Sequence, residues 1–179
     1  MKKLIDVYDQ IRNVQYKIVD VDYSLSNSYR LVDSNGASCT PKHIVLFDMF
    51  SAFGFETRLC VHEFQWLDFN LEFPKYVSDL LTDFSSDFHT NIEIKIGDNW
   101  IMVDATWDDK LIDAGLPGTK EWNGKESTLN AVHSNTVHRF NSIAERKEFL
   151  IQNIKKDKDL DKERECIDAL NNYFDLLRK

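Results

Sequence analysis

The stretch CTPKHIVLFDMFSAFG, residues 39–54, predicts a buried helix at the centre of the fold. From His43 to Phe53 it is apolar almost all round, which is typical of a helix packed on most of its sides. Pro41 lies in the first turn, where its missing N–H is not needed, and Gly54 suits the position just after a helix end. A short buried strand is the alternative, but the run is too long and too well capped for one.

Residues 57–104 predict a small antiparallel sheet beside this helix. Residues 57–64 have the composition of a strand. In residues 89–96 isoleucine occupies every second position, which is the period of a half-buried strand. Turn residues at 97–99 separate this segment from the apolar residues 100–104, so the two segments predict a β-hairpin.

Helices and loops are predicted on either side of this core. Apolar residues spaced by three and four over residues 4–18 predict an amphipathic helix, and the polar residues 20–38 predict a loop. Residues 74–84 predict a short helix inserted between strands. Residues 106–140 have little periodicity and predict a long ordered loop, whereas residues 142–179 predict a helical C-terminal segment.

Length and composition predict a single domain over residues 1–179, because 42% of the residues are hydrophobic and 12% aromatic. The net charge of −8 argues against a protein that grips phosphate backbones, so no nucleic-acid partner is expected. No apolar run approaches the ~20 residues that cross a bilayer, and acidic residues interrupt the N-terminal stretch. We therefore expect a cytoplasmic protein with no membrane partner. The unrelated spacings of Cys39, Cys60 and Cys166 predict free thiols.

Three residues of the predicted helix and hairpin have the chemistry of a nucleophile and its base. Cys39 lies at the N-terminus of the helix, where free N–H groups and the helix dipole lower the pKa of a thiol. A thiolate nucleophile needs a base within hydrogen-bonding reach, and that base needs a third group to orient it. His89 begins one strand of the hairpin and Asp104 ends the other, so antiparallel pairing lets Asp104 orient the His89 ring.

These residues resemble the core of the transglutaminase-like superfamily, which belongs to the papain-like cysteine enzymes. The resemblance spans residues 35–107 and rests on the cysteine that opens an apolar helix, on FGFETR at residues 53–58 and on the hairpin of residues 89–106, with Gly-x-x-Trp at its turn. Residues 116–117 (LP) and 122–125 (WNGK) are similar to the segment after the core in some bacterial members. The resemblance implies an α+β, papain-like fold, in which the buried Cys-bearing helix packs on a small antiparallel sheet between terminal helices.

The resemblance also implies a catalytic triad of Cys39, His89 and Asp104 that needs neither a cofactor nor a metal ion. Such a triad forms an acyl-thioester at an amide carbonyl of a peptide or protein substrate. Water then gives hydrolysis, as in a protease or amidase, and an amine gives acyl transfer. Hydrolysis is the favoured outcome, because the small chain has no visible domain for a second substrate.

Two other interpretations stay open. The first is a catalytically inactive papain-like module that binds a peptide or protein partner, since Ala37 and Thr90-Asn91 depart from the pattern of the family at the mouth of the site. The second is an arylamine acyltransferase with the same triad logic. It is less favoured, because the chain is short and has no Arg-Gly-Gly stretch before Cys39.

The resemblance implies two hydrogen-bond donors for the oxyanion of the reaction. One would be the backbone N–H of Cys39, and the other is usually an upstream side chain. Gln15, Asn27 and Tyr29 are all candidates, and the sequence does not choose among them.

Weaker candidates surround the long loop. Trp107 and Trp122 flank it and are weak candidates for an aromatic wall of a substrate cleft, the alternative being that they anchor the loop on the core. Asp108-Asp109 is typical of a solvated turn. Cys60 and His62 share a strand face, but their spacing does not support a zinc site, so no metal is expected.

Overall fold

The structure, a computed structural model, describes residues 1–19, 36–69, 71–84, 86–153 and 159–179, which form a mixed α+β fold. The helices of this part are α1 (Lys2–Arg12), α2 (Cys39–Ala52), α3 (Lys75–Asp83), α4 (Asp109–Asp113), α5 (Ile143–Asn153) and α6 (Leu160–Leu177). The strands are β1 (Thr57–Gln65), β2 (Ser86–Ile96), β3 (Asn99–Val103) and β4 (Thr136–Phe140). The expected α+β class is thereby confirmed, whereas most of the loop predicted over residues 20–38 lies outside the described residues.

The four strands form one antiparallel sheet in the order β3-β2-β1-β4. β1 and β2 pair along the whole of β1, from Thr57 opposite Ile94 to Gln65 opposite Ser86. β2 and β3 form the predicted hairpin, and Gly97 at its turn has a φ of 59°, which glycine adopts without strain. β3 is the shorter strand, so it leaves the edge of β2 uncovered before Ile92.

Helix α2 packs against the sheet and is buried along most of its length, as its apolar sequence predicts. It ends where expected, since Phe53 caps it and Gly54 follows with a φ of 88°. A core cluster joins α1, α2 and the sheet, and its fully buried members include Leu4, Ile44, Leu46, Phe50, Leu59, Ile92 and Ile94. Burying each such side chain contributes about 1.5–3 kcal/mol. A second cluster packs α3 and α6 around Trp66 and Trp107.

The N-terminal helix is shorter than its apolar pattern predicts. α1 ends at Arg12, and the chain then runs alongside the segment before α2. The N–H of Lys17 donates to the Ala37 carbonyl, and the Ala37 N–H donates to the Gln15 carbonyl. These bonds to a distant segment replace the helical bonds that the spacing up to residue 18 favours.

The region 106–140 contains regular structure that the sequence analysis did not predict. Its last residues form β4, which pairs with residues 59–63 of β1 at the edge of the sheet, and α4 spans Asp109–Asp113. Both elements are only five residues long, too short for a periodic signal. No helix within the described ranges is long and apolar enough to cross a membrane.

Candidate active site

Cys39 is the first residue of α2 and is half-buried. Its backbone N–H is one of those at a helix N-terminus that have no acceptor within the helix, and the helix dipole is positive there. The thiol lies beside the uncovered edge of β2, where the backbone N–H of Thr90 hydrogen bonds to it. The sulfur therefore lies between the N-terminus of α2 and a backbone N–H donor of β2.

His89 and Asp104 lie side by side, as the hairpin geometry predicts. Nε2 of His89 lies 2.7 Å from Oδ2 of Asp104, and both residues are buried. His89 also hydrogen bonds to the thiol of Cys39. Because Nε2 is engaged by Asp104, Nδ1 is the ring nitrogen left for the sulfur. The three residues therefore form a continuous hydrogen-bonded chain.

Four further contacts orient the carboxylate of Asp104. Oδ1 accepts hydrogen bonds from the backbone N–H and the hydroxyl of Thr106, at 3.1 and 2.6 Å. Oδ2 accepts the Ala131 N–H at 2.9 Å and lies 3.4 Å from Nδ2 of Asn91. Asn91 is itself oriented, because its Oδ1 lies 3.2 Å from Nε2 of His62. Asp104 is thus held as an ionised carboxylate in a buried position.

The charges of the site favour a thiolate–imidazolium pair. Burial alone would raise the pKa of Cys39, but the hydrogen bond and charge of His89 bring this pKa below its ordinary value. Burial alone would lower the pKa of His89, but Asp104 raises it to about 10. Burial opposes ionisation of Asp104 as well, yet His89 holds its pKa far below the usual range. Together these interactions favour a negative sulfur beside a positive ring.

A second histidine, His43, connects Cys39 to the strand end that carries Asp104. Its Nδ1 donates to the Cys39 carbonyl at 2.8 Å, and its Nε2 accepts the Ala105 N–H at 2.8 Å. Nε2 thus has no proton, and its 3.5 Å separation from Oδ1 of Asp104 is not a hydrogen bond. Burial lowers the pKa of His43 to about 4, so this ring is neutral and serves as a structural bridge.

The guanidinium of Arg146, on α5, joins α2 to β2 immediately beside the site. It is 1% exposed, and it donates to Oγ1 of Thr40 at 2.8 Å and to Oγ1 of Thr90 at 2.6 and 3.1 Å. Thr40 follows Cys39 in the chain, and Thr90 follows His89. Arg146 therefore connects the residues that directly follow Cys39 and His89.

A cavity of 520 Å³ opens at Cys39 and His89. Aromatic and apolar side chains form much of its wall, among them Phe64, Trp66, Trp107, Val132 and Leu150. Trp107 is also anchored in the core, because its Nε1 donates to the Ala131 carbonyl at 3.2 Å. Trp107 therefore both lines this cavity and anchors the loop on the core.

Trp122 and Asp108 are both buried, and neither lines the cavity. Trp122 is not part of the cavity wall, because it packs in the core against Tyr8 and Phe50. Trp122 therefore occupies the position of a loop anchor, which is the alternative that the sequence left open. Asp108 is buried rather than solvated, since it caps α4 and pairs with Arg178 at 2.8 Å.

Of the three candidates for the second oxyanion donor, only Gln15 lies within the described residues, and its side chain is engaged elsewhere. Nε2 of Gln15 donates to Asp175 on α6 at 3.1 Å. Asn27 and Tyr29 lie outside the described residues. In the part of the chain that the structure describes, no group of three or more His, Cys, Asp or Glu side chains could hold a metal ion.

The sequence analysis missed three residues that shape the site. His43 had a signal, since a polar side chain within an apolar helix is expected to have a buried partner. Asn91 carried a weaker signal, because it alternates with His89 on one strand face. Arg146 had none, because its contacts join residues more than 50 positions apart.

Searches against protein-family models, curated proteins and solved structures find no match to this chain. The chemistry of the site is therefore inferred from the arrangement of its own residues.

Proposed function

We propose that this chain is a thiol-dependent hydrolase that acts on amide or peptide carbonyls through an acyl-thioester on Cys39. The observation that carries this proposal is the hydrogen-bonded chain from Cys39 through His89 to the buried Asp104, at the opening of a cavity. We further propose a papain-like core similar to that of the transglutaminase-like superfamily. The helix with Cys39 at its N-terminus, packed on a sheet that carries His89, supports it.

In the proposed reaction the Cys39 thiolate attacks the carbonyl carbon, and the C=O electrons move onto the oxygen. When this tetrahedral adduct collapses, the C–N bond breaks and His89 gives its proton to the leaving amine. His89 is then neutral and accepts a proton from the water that attacks the thioester. When this second adduct collapses, the C–S bond breaks, which releases the acid and returns Cys39 to a thiolate beside the protonated ring. Asp104 keeps the ring oriented and stabilises its charged form throughout.

Hydrolysis is the outcome we favour, with a peptide or protein amide as the substrate. An amine that reached the thioester before water would give acyl transfer by the same three residues. The mass of the product distinguishes the two outcomes, because transfer adds the amine to the acyl group and hydrolysis leaves a free acid.

The first test is the rate of Cys39 alkylation by iodoacetamide as a function of pH, with the label located by mass spectrometry. The proposal predicts a midpoint well below the ~8.5 of a free thiol, and a return to ordinary values in His89→Ala. Cys60 is an internal control, because burial raises its pKa to about 12. Circular dichroism of both proteins shows whether the substitution preserves the fold.

An ordinary midpoint that is the same in both proteins would contradict the proposal, and would favour an inactive module that binds a peptide or protein partner. With a low midpoint, peptide and glutamine-amide libraries are the next substrates to test. Cys39→Ala should then abolish turnover on any substrate found, while its thermal unfolding stays that of a folded protein.

A further inference from the structure

Tyr16 forms part of the wall of the cavity that holds Cys39. The residue is 5% exposed, and its ring is fixed by edge contacts to Trp107 and Phe174, with ring centroids 4.4 and 5.5 Å away. Such contacts hold an aromatic side chain in one orientation. The position of the Tyr16 hydroxyl is therefore set by the core before any substrate binds.

The backbone of Tyr16 is fixed as well. Its N–H donates to Oδ2 of Asp108 at 2.8 Å, and its carbonyl accepts from Nη2 of Arg178 at 2.7 Å. Asp108 and Arg178 are ion-paired to each other at 2.8 Å, with about nine-tenths of each side chain buried. One ion pair thus satisfies both backbone groups of a residue that carries no charge itself.

The hydroxyl is the one polar group of Tyr16 for which the described residues supply no hydrogen-bond partner. The residue is 5% exposed and lines the cavity. A polar atom of a buried residue without a partner calls for an explanation, because such atoms are nearly always hydrogen-bonded. Since the residue lines the cavity, a ligand in that cavity is the partner it fits.

The surroundings of this hydroxyl also keep it protonated. Burial raises the pKa of Tyr16 well above its ordinary value, and the nearby Cys39 raises it further. The group is therefore an O–H donor throughout the pH range in which the thiolate forms. The backbone also brings Tyr16 near Cys39, because Tyr16 pairs with Ala37, two residues before Cys39.

We infer that the hydroxyl of Tyr16 is the second oxyanion donor of the proposed reaction, opposite the backbone N–H of Cys39. This inference rests on the proposed function. When the thiolate forms its S–C bond, the carbonyl oxygen becomes negative and accepts both hydrogen bonds. When the C–N bond breaks, the oxygen returns to a carbonyl, the leaving amine takes the proton of His89, and Tyr16 keeps its own proton. A rigid donor that needs no reorganisation is what such a site requires.

The test uses Tyr16→Phe, which keeps the ring and removes only the oxygen. The probe is 4-nitrophenyl acetate, and the readouts are the burst of 4-nitrophenolate and the acetyl group found on Cys39 by mass spectrometry. Tyr173→Phe is the matched control, since Tyr173 is a buried tyrosine of α6 whose hydroxyl lies 3.4 Å from the Glu72 carbonyl. We expect acylation to slow about 10²-fold in Tyr16→Phe and to stay unchanged in Tyr173→Phe.

Two further measurements separate a catalytic role from a structural one. Because the hydroxyl has no partner in the described fold, Tyr16→Phe should unfold at the same temperature as the wild type and keep the same pH midpoint for Cys39 alkylation. Normal acylation in Tyr16→Phe, beside a reactive wild type, would overturn the role of Tyr16 alone. A wild type that reacts no faster than Cys39→Ala would overturn the proposed function, and this inference with it.

Discussion

The side-chain oxygens of Thr40 and Thr90 lie 3.4 Å apart, and these two residues directly follow Cys39 and His89 in the chain. The buried guanidinium of Arg146 binds both oxygens. Alignment of Cys39 with His89 therefore depends on α5, which lies outside the helix and sheet that carry the pair. Arg146 acts as a positioning residue, since the described contacts place it on the threonines.

Arg146→Met should weaken both the fold and the alignment of the reactive pair. It removes three hydrogen bonds from a charged donor at a buried site, so we expect a loss of about 2 kcal/mol or more in the free energy of unfolding. The pH midpoint of Cys39 alkylation should rise at the same time. Urea denaturation and alkylation rates measure the two effects. Arg164→Met, at an exposed arginine of α6, is the control and should change neither by a measurable amount. An unchanged alkylation midpoint in folded Arg146→Met would contradict the positioning role.

Asp104→Asn should remove the charge that keeps His89 protonated. Asp104 raises the pKa of His89 to about 10 against the opposing effect of burial, so without it the ring should be neutral at pH 7. The thiolate then loses its cationic partner, and its pKa should move up toward that of a free thiol. We expect slower alkylation of Cys39 at pH 6–7, and a smaller difference at pH 9, where any thiol is largely ionised.

The matched control for Asp104→Asn is Asp113→Asn, at an exposed carboxylate paired with Lys120 on the surface. This substitution should leave the alkylation profile as in the wild type. An Asp104→Asn profile that overlays the wild type would show that the carboxylate does not set the charge of His89.

Trp107 and Trp122 flank the same loop in the sequence, but their substitution should have different effects on the acylation of Cys39. Trp107 lines the cavity and contacts Tyr16, whereas Trp122 packs only in the core. Replacing either by Phe should destabilise the fold, by about 1–3 kcal/mol. Only Trp107→Phe should change the acylation of Cys39 by 4-nitrophenyl acetate. Equal acylation rates in the two folded variants would count against a role of Trp107 in the cavity.

Local sequence patterns were sufficient to predict the central helix, the hairpin and the contact between His89 and Asp104. Each of these depends on residues close together in sequence, either through helical capping or through strand pairing across a short turn. Tyr16, Arg146 and β4 were not predictable in this way. Tyr16 and Arg146 reach the site from the two ends of the chain, and β4 acquires its conformation from its pairing with β1. For Trp122 the two alternatives stayed open, because sequence position alone does not distinguish a cavity wall from the core behind it.

Lys42 is a buried lysine of α2 that should make the free energy of unfolding depend on pH. Its Nζ donates to the carbonyl oxygens of Arg12 and Thr106, at 3.0 and 2.8 Å, and the residue is fully buried. Burial lowers its pKa from 10.5 to about 7. Between pH 7 and pH 10.5 Lys42 is protonated in the unfolded chain and deprotonated in the folded chain. Folding therefore releases a proton, and the free energy of unfolding rises with pH. Below about pH 7 the cost of burying the charge is fully present, and above 10.5 it is gone.

Lys42→Met should remove this dependence. The difference in unfolding free energy between wild type and Lys42→Met should change in favour of the wild type by up to about 1.4 kcal/mol per pH unit between pH 7.5 and 9.5. Contributions from Cys39 and His89 are common to both proteins and cancel in this difference. Lys75→Met, at an exposed lysine of α3, is the control and should give a difference that does not vary with pH. Urea denaturation at several pH values measures all three proteins. A difference for Lys42→Met that is constant with pH would mean that Lys42 stays charged in the folded protein, with its two carbonyl partners sufficient to hold an ammonium group in the core.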